Sequence, residues 1–518
     1  MKAAIKEASI TVRDGTRIGV AIYAPEGNGR FPALLAASPY RYDNNALPAG
    51  PQFLWRETGP IELYARHGYA YVHMDVRGSG KSGGHFEFLG PNEQRDLYDV
   101  IEWIAKQPWS NGKVGGIGQS YFCMAQWWMG IMKPPALACL GAYDGLSDPY
   151  RATCYTGGIP GQFMPGYWWN QNRIINRFPA NGAAPRVQET DLDALITAHP
   201  TYDEFWRARC AWERLHDIDV PLYSVGIWGK VDLHTRGNIE GFRRARGPRK
   251  LQMRGPINAW AANAEFNGVE LHEKVLLPFY ERFLKGKETD WEKRPPVEYF
   301  VRGANVFRSA DTWPPAGVRY KAWHLGADKT GSVTSLNDGS LSSSQAEGGE
   351  ATSYVYPNPG WASGVVGFGP TGPASGFDPV RRVLTFTTAP LAKDLEIAGP
   401  IKLVLYASST AKDTDFVVKL AEQYPQAAEE RAKGLNPSSQ LVTKGWLRAS
   451  HRALDPKHST EIEPHHTHTD PQPLQPGEVY EFAIGIEPNA YRFKQGNRIR
   501  LELANGDSPI TDVLWTHY

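Results

Sequence analysis

The stretch Gly115-Gly116-Ile117-Gly118-Gln119-Ser120-Tyr121-Phe122-Cys123 decides how this chain is read. It follows an apparent helix, "DLYDVIEWIAKQPW", and opens into another, "MAQWWMGIM". A serine between a strand and a helix sits on a sharp turn, and Gly118 removes the Cβ that would crowd that turn. The following helix aims its N–H groups and positive dipole end at whatever the serine hydroxyl meets. This is the pattern of a nucleophile elbow, with the Tyr121 N–H as one oxyanion donor. An ordinary tight-turn serine would read the same way, so the surroundings must decide.

Residues 1–145 alternate strand-like and helix-like pieces. "FPALLAASPY" and "YAYVHMDVRG" are apolar runs ending in Gly/Pro-rich loops, as buried parallel strands do. "NEQRDLYDVIEWIAKQ" places Leu97, Val100, Ile101 and Ile104 at helical spacing. Such a βαβ rhythm builds a mostly parallel sheet. Over 146–215 the rhythm breaks into a Gly/Pro/aromatic segment and a helical one, which reads as a cap inserted into the sheet domain. It resumes over 216–316 with "VPLYSVGIWGKVD", "PRKLQMRGP" and the helix "VELHEKVLLPFYERFLKG". From 317 to 518, short alternating strands such as "IKLVLYASS" and "RIRLELAN" are separated by turn-rich loops such as "GFGPTGPASGFDP". That pattern predicts an all-β sandwich.

A chain of 518 residues is too long for one ordinary core. Its net charge of +1 argues against broad capture of nucleic acid or anionic membrane. No apolar run reaches the length of a membrane span, and the N-terminus lacks the apolar centre of a secretory signal. Cys123, Cys139, Cys154 and Cys210 lack metal-type spacing and read as buried thiols of a reducing, cytoplasmic compartment. His465, His466 and His468 of "HHTHT" lie in a polar, Pro-rich stretch that reads as a solvated loop, with no suitably spaced Cys or carboxylate to make a metal site. Neither a metal nor a cofactor is expected.

The pattern G-x-S-Y, with "SPYRYD", "DVRGSGKSGG", "EWIAKQPWSNGKVGGIGQSY", "PFYERFLKG", "DTDFVVKL" and "GNRIRLEL", resembles the cocaine-esterase / X-prolyl dipeptidyl-peptidase family, the CocE/NonD hydrolases. The likeness runs in order through nearly the whole chain. It implies an α/β-hydrolase core, a helical cap inserted after the elbow and a C-terminal jelly-roll β-sandwich, in agreement with the divisions above. It also implies that Ser120 is the nucleophile and that the Tyr40 hydroxyl joins the Tyr121 N–H in the oxyanion hole. Asp75, Arg77, Asp96 and Asp144 read as structural.

The triad acid is expected after "PLYSVGIWGKVD", where Asp232 is the carboxylate of the exit loop. The family's histidine belongs after the next strand, but "RGPINAWAANAEFNG" (254–268) contains none. The family's glycine three residues after the serine is Cys123. His234, two residues past Asp232, is the nominated base; His272 reads as a structural helix residue, and His85 and His73 are further candidates. The expected function is a serine-dependent hydrolase or acyl-transfer enzyme acting on a small ester or amide, with Trp168 and Trp169 against the substrate. Homo-oligomerisation stays open. Without a base, a serine hydroxyl is a poor nucleophile. Two alternatives therefore stand beside this reading: a non-hydrolytic enzyme on the same scaffold, and a catalytically dead ligand-binding protein.

Overall fold

The computed structural model describes residues 4–44, 57–179, 182–256, 259–345, 351–356 and 379–507. The "GFGPTGPASGFDP" loop lies, apart from its last residue, outside them, as does the C-terminal segment.

Ten strands form the first sheet. They are β1 (Ala4–Thr11), β2 (Arg17–Ala24), β3 (Phe31–Ser38), β4 (Ala70–Asp75), β5 (Ser110–Gln119) and β6 (Leu137–Tyr143), followed after the cap by β9 (Leu222–Ile227), β10 (Arg249–Arg254), β11 (Val297–Val301) and β12 (Val306–Ala310). Their spatial order is β1-β2-β4-β3-β5-β6-β9-β10-β11-β12. All pairings from β4 to β11 are parallel, while β1, β2 and β12 add antiparallel edges. The apolar runs predicted as buried strands are β3 and β4, and the interior of each is buried on both faces. The helix Pro91–Ala105 begins with proline in its first turn and buries Leu97, Val100, Ile101 and Ile104, the stripe read from the sequence. In contrast, the helix Tyr121–Met132 buries eleven successive residues, Tyr121 to Ile131, because both the sheet and the segment Ala211–Asp217 cover it.

Residues 146–215 contribute only a short hairpin, β7 (Tyr155–Thr156) with β8 (Ile159–Pro160), and several short helices. Within this cap, Arg151 forms an ion pair with Asp148 at 2.8 Å.

A second sheet of eight strands makes the C-terminal β-sandwich domain. It comprises β13 (His324–Gly326), β14 (Gly339–Ser342), β15 (Leu384–Thr387), β16 (Leu395–Ala407), β17 (Asp415–Gln423), β18 (Ser439–Arg448), β19 (Tyr480–Phe493) and β20 (Arg498–Ala504). The sandwich sits against the cap and the core. The Arg448 N–H donates to the Gly157 carbonyl at 2.8 Å, the Tyr202 N–H to the His468 carbonyl at 2.9 Å, and Arg243 pairs with Glu463 at 2.8 Å.

The "HHTHT" stretch corrects one expectation. It is not a solvated loop: His466 and His468 are buried, and Arg151 of the cap donates to the carbonyls of His466 and Thr467. The sequence around it is polar because those groups bond across a domain interface rather than to water. His465 also comes near Asp455 and His458, with potential ligand atoms within 4.8 Å of one another. Asp455 and His458 are already joined by a 2.7 Å hydrogen bond.

Candidate active site

β5 ends at Gln119 and the next helix begins at Tyr121, leaving Ser120 alone at the bend with φ 60° and ψ −119°. That conformation costs a non-glycine residue about 1–3 kcal/mol and persists only where the surroundings enforce it. They do so here. The Ser120 N–H donates to the Asp144 carbonyl at 2.8 Å, and its own carbonyl accepts from Met124 at 2.9 Å. Gly118 has φ +125°, and a Cβ there would fall 2.3 Å from the Phe122 Cβ, so only glycine fits beneath the bend.

Two neighbouring strands deliver the groups that meet Ser120. β6 lies parallel to β5, so Asp144, directly after β6, emerges beside the elbow. β9 lies next to β6, and the loop after it carries His234. In that loop the N–H groups of Leu233, His234 and Thr235 all converge on the Lys230 carbonyl at 3.0–3.2 Å, which coils the chain and turns the imidazole inward. The helix Thr235–Arg244 then presses on the backbone after Asp144; a Cβ at Gly237 would lie 2.3 Å from the Gly145 carbonyl oxygen.

The result is a continuous chain of contacts. His234 Nε2 lies 3.4 Å from Ser120 Oγ, and His234 Nδ1 lies 2.9 Å from Asp144 Oδ1. An aspartate on Nδ1 takes that nitrogen's proton in a hydrogen bond and leaves Nε2 as the acceptor facing the serine. Asp144 Oδ2 in turn accepts from Lys230 Nζ at 2.5 Å and Gln119 Nε2 at 2.6 Å. Burial alone would raise the Asp144 pKa, but the Lys230 ammonium, His234 and these hydrogen bonds outweigh it and hold the carboxyl well below the usual range. For His234 burial dominates and lowers the pKa; Asp144 opposes the shift and Lys230 adds to it. The imidazole is therefore neutral at pH 7 and able to accept a proton.

The expectation for Asp232 needs correction. It is buried in the same loop as His234, but the carboxylate on His234 Nδ1 is Asp144, which had been read as structural. The physical reason is strand order. The end of β6 is one strand from the elbow, and the end of β9 is two. With His234 supplied from the β9 loop, a carboxylate from β6 reaches its far nitrogen. The histidine-free segment 254–268 contributes differently: it forms the helix Ala259–Phe266, whose Asn263 Oδ1 accepts from Gln119 at 2.6 Å and from Lys230 at 3.2 Å.

The Tyr40 hydroxyl accepts a hydrogen bond from Trp168 Nε1 at 3.0 Å, which leaves its own proton to donate, and it interacts with the Ser120 hydroxyl. The Tyr121 N–H, first in its helix, has no intrahelical acceptor by geometry. Trp168 also stacks flat on the Tyr121 ring, with centroids 5.9 Å apart at 4°. Trp169 stacks on Phe86 at 5.1 Å and on Trp168 at 6.3 Å. Phe122 packs edge-on against Tyr40 and His73. Cys123 faces Gly145, whose missing Cβ makes room for the thiol.

Other histidines stand elsewhere. His272 is buried between the Tyr64 hydroxyl at 2.7 Å and the Phe266 carbonyl at 2.8 Å, a structural residue as read. His73 is buried within β4, and His85 pairs with Glu189 at the surface.

Lys230, Gln119 and Asn263 escaped the sequence reading, and so did Glu57. Glu57 is 2 % exposed, its carboxyl interacts with the Ser120 hydroxyl, and its carbonyl accepts the Gln119 N–H at 3.1 Å. Nothing in its local sequence signals this placement.

Comparison with known proteins places the chain in a lineage. Residues 14–260 match the X-Pro dipeptidyl-peptidase (S15 family) model, and residues 289–514 match the model of the X-Pro dipeptidyl-peptidase C-terminal non-catalytic domain. The chain belongs to the cocaine-esterase / X-prolyl dipeptidyl-peptidase family. Cocaine esterase from Rhodococcus sp. strain MB1 Bresler is 27% identical over 97% of this chain and 91% of its own length. A Mycobacterium bovis protein provisionally named a serine esterase is also 27% identical, over 96% of this chain and 90% of its own. The crystal structure of a Staphylococcus aureus CocE/NonD family hydrolase superposes with a TM-score of 0.79 at 27% identity, covering 96% of this chain and 85% of that one. The fold is an α/β-hydrolase core with a C-terminal β-sandwich domain, and the family supports hydrolase activity.

Proposed function

We propose that this chain is a serine hydrolase that cleaves a small ester or amide through an acyl-enzyme. The observation that carries the reading is the chain of contacts Ser120–His234–Asp144, at 3.4 and 2.9 Å.

In this mechanism Ser120 Oγ attacks the substrate carbonyl while His234 Nε2 takes its proton. Asp144 fixes the tautomer and steadies the imidazolium that forms. The Tyr40 hydroxyl and Tyr121 N–H stabilise the oxyanion in a water-poor site, where such donors act most strongly. His234 then returns the proton to the leaving oxygen or nitrogen, and the acyl group stays on Ser120 as an ester. Water, activated by the same imidazole, attacks that ester and releases the acid. Trp168 supports the hole through its bond to Tyr40, and its ring joins Phe86, Phe88 and Tyr121 in an aromatic wall suited to a small apolar acyl group.

The non-hydrolytic alternative drew its support from the histidine-free loop 254–268. A neutral imidazole next to Ser120, supplied by another loop, supports the hydrolytic reading instead.

The test is a stopped-flow assay with p-nitrophenyl acetate and butyrate. A burst of one nitrophenolate per active chain followed by slower turnover, absent in Ser120→Ala, is expected. Turnover undiminished in Ser120→Ala contradicts the reading.

A further inference from the structure

Ser120 has an acidic neighbour that the triad does not use. Glu57 is anchored on the elbow, with its carbonyl on the Gln119 N–H, and the next residue's carbonyl accepts the Tyr71 hydroxyl at 2.8 Å. The main chain thus holds Glu57 beside the elbow. The carboxyl interacts with the Ser120 hydroxyl, and its Oε2 is buried without a hydrogen-bond partner among the described residues. The charged and titratable groups that act on it are Lys230, Asp144 and the Tyr40 and Tyr143 phenols. Lys230 is already committed to Asp144 at 2.5 Å.

The Ser120–His234 separation of 3.4 Å is at the long end for an O–H···N bond, so the serine proton is not held tightly by the imidazole at rest. A carboxylate accepts a hydroxyl proton more strongly than a neutral carboxylic acid does. It also places a full negative charge close to where the oxyanion must form, in a site of low polarisability.

We propose that Glu57 is a positioning residue for the nucleophile, competent when neutral and inhibitory when ionised. Neutral Glu57 leaves the Ser120 proton to His234; ionised Glu57 draws that hydrogen bond to itself and opposes the developing oxyanion. This rests on the serine-hydrolase reading above and adds to it a second ionisation that the triad and oxyanion hole do not contain. Burial pushes the Glu57 carboxyl up to about 8, with Lys230 opposing and Asp144 reinforcing, so the change falls within an accessible pH range. The phenol of Tyr40 is raised well above its ordinary value by burial and does not titrate there.

The experiment is kcat/KM for p-nitrophenyl acetate from pH 5.5 to 10, corrected for spontaneous hydrolysis, with the rate of fluorophosphonate labelling followed in parallel. The native protein is expected to show an alkaline limb centred near pH 8, with at least a tenfold fall by pH 10. Glu57→Gln keeps the volume and a hydrogen-bonding amide; it should lose that limb and keep the acid limb. If Glu57→Gln does not fold, the native profile still decides: no alkaline fall below pH 9 overturns the proposal. So does an unchanged alkaline limb in folded Glu57→Gln. Ser120→Ala separates the two levels. Activity that needs Ser120 but shows no Glu57-dependent limb refutes this proposal alone, whereas activity independent of Ser120 refutes the serine-hydrolase reading and this proposal with it.

Discussion

Asp144 and His234 meet at 2.9 Å across ninety residues of sequence, one from the end of β6 and the other from the loop after β9. Both therefore come from strands on the same side of the elbow strand, β5. The base is supplied from the loop in which the acid was expected, and the acid from the strand nearer the nucleophile.

Removing the base is the severest single change. In a triad acting as a unit, loss of the serine or the histidine costs on the order of a millionfold in turnover. His234→Ala should approach that loss on nitrophenyl esters with little change in KM, and His272→Phe, which touches neither Ser120 nor Asp144, should not. Turnover within tenfold of native in His234→Ala would place the base elsewhere.

Burial and the neighbouring Lys230 together lower the working pH of that base. The Lys230 ammonium disfavours a proton on His234, and burial, the larger effect, acts in the same direction. The acid limb of kcat/KM should therefore lie below pH 6.5, the ordinary histidine value. Lys230→Met removes the repulsion and leaves Asp144 free to favour the imidazolium, so the limb should move to higher pH. A limb that stays in place or moves down in a folded Lys230→Met variant contradicts this electrostatic account.

Tyr40→Phe tests the second oxyanion donor. Loss of one such donor costs about 10²–10³ in kcat. The fall should appear in kcat, with KM nearly unchanged. Trp168→Phe should cost less, since it removes only the indole N–H that occupies the phenol's acceptor side. An equal loss in both variants, carried by KM, would indicate that the aromatic wall binds substrate and that Tyr40 has no oxyanion role.

Stability should pass through a maximum near pH 6.5. Burial lowers His73 and His465 to about 3 and His272, His451 and His466 to about 4. Between those values and 6.5 the unfolded chain binds protons that the folded chain does not, so stability is lost as pH falls. Burial instead raises Glu57 and Glu93 to about 8 and Asp75 to about 7. Between about 4.5 and 8 the folded chain holds those protons, so stability is lost as pH rises through that range. The histidines outnumber the acids below 6.5, and the acids act alone above it. Thermal melts from pH 4 to 9 should show a Tm that falls on both sides, with the alkaline side flattened in Glu93→Gln. A Tm rising steadily to pH 9 contradicts this balance.

The sequence carried the framework because the framework is periodic. Continuous apolar strands, the stripe Leu97–Ile104 and the Gly118–Ser120 turn each have a local signature that survives without coordinates. His234 was also within reach, as the histidine in the exit loop of a strand beside the elbow. Asp144 was not assigned its contact because its neighbours in sequence, Tyr143 and Gly145, give no sign of which residue lies across the strand ends; only strand order does. Lys230, Gln119 and Asn263 converge from three separate segments, and Glu57 from a fourth, so no spacing rule could assemble them. The misreading of "HHTHT" had the same origin. Polarity that is satisfied across a domain interface looks, in one dimension, like polarity satisfied by water.

The most direct measurement is the second-order rate of fluorophosphonate labelling, compared between Asp144→Asn and Asp232→Asn and mapped by peptide mass spectrometry. The native protein and Asp232→Asn should both label on Ser120 within a few-fold of each other, while Asp144→Asn should fall on the order of ten-thousandfold. Loss of labelling in Asp232→Asn with near-native labelling in Asp144→Asn would contradict the assignment of the triad.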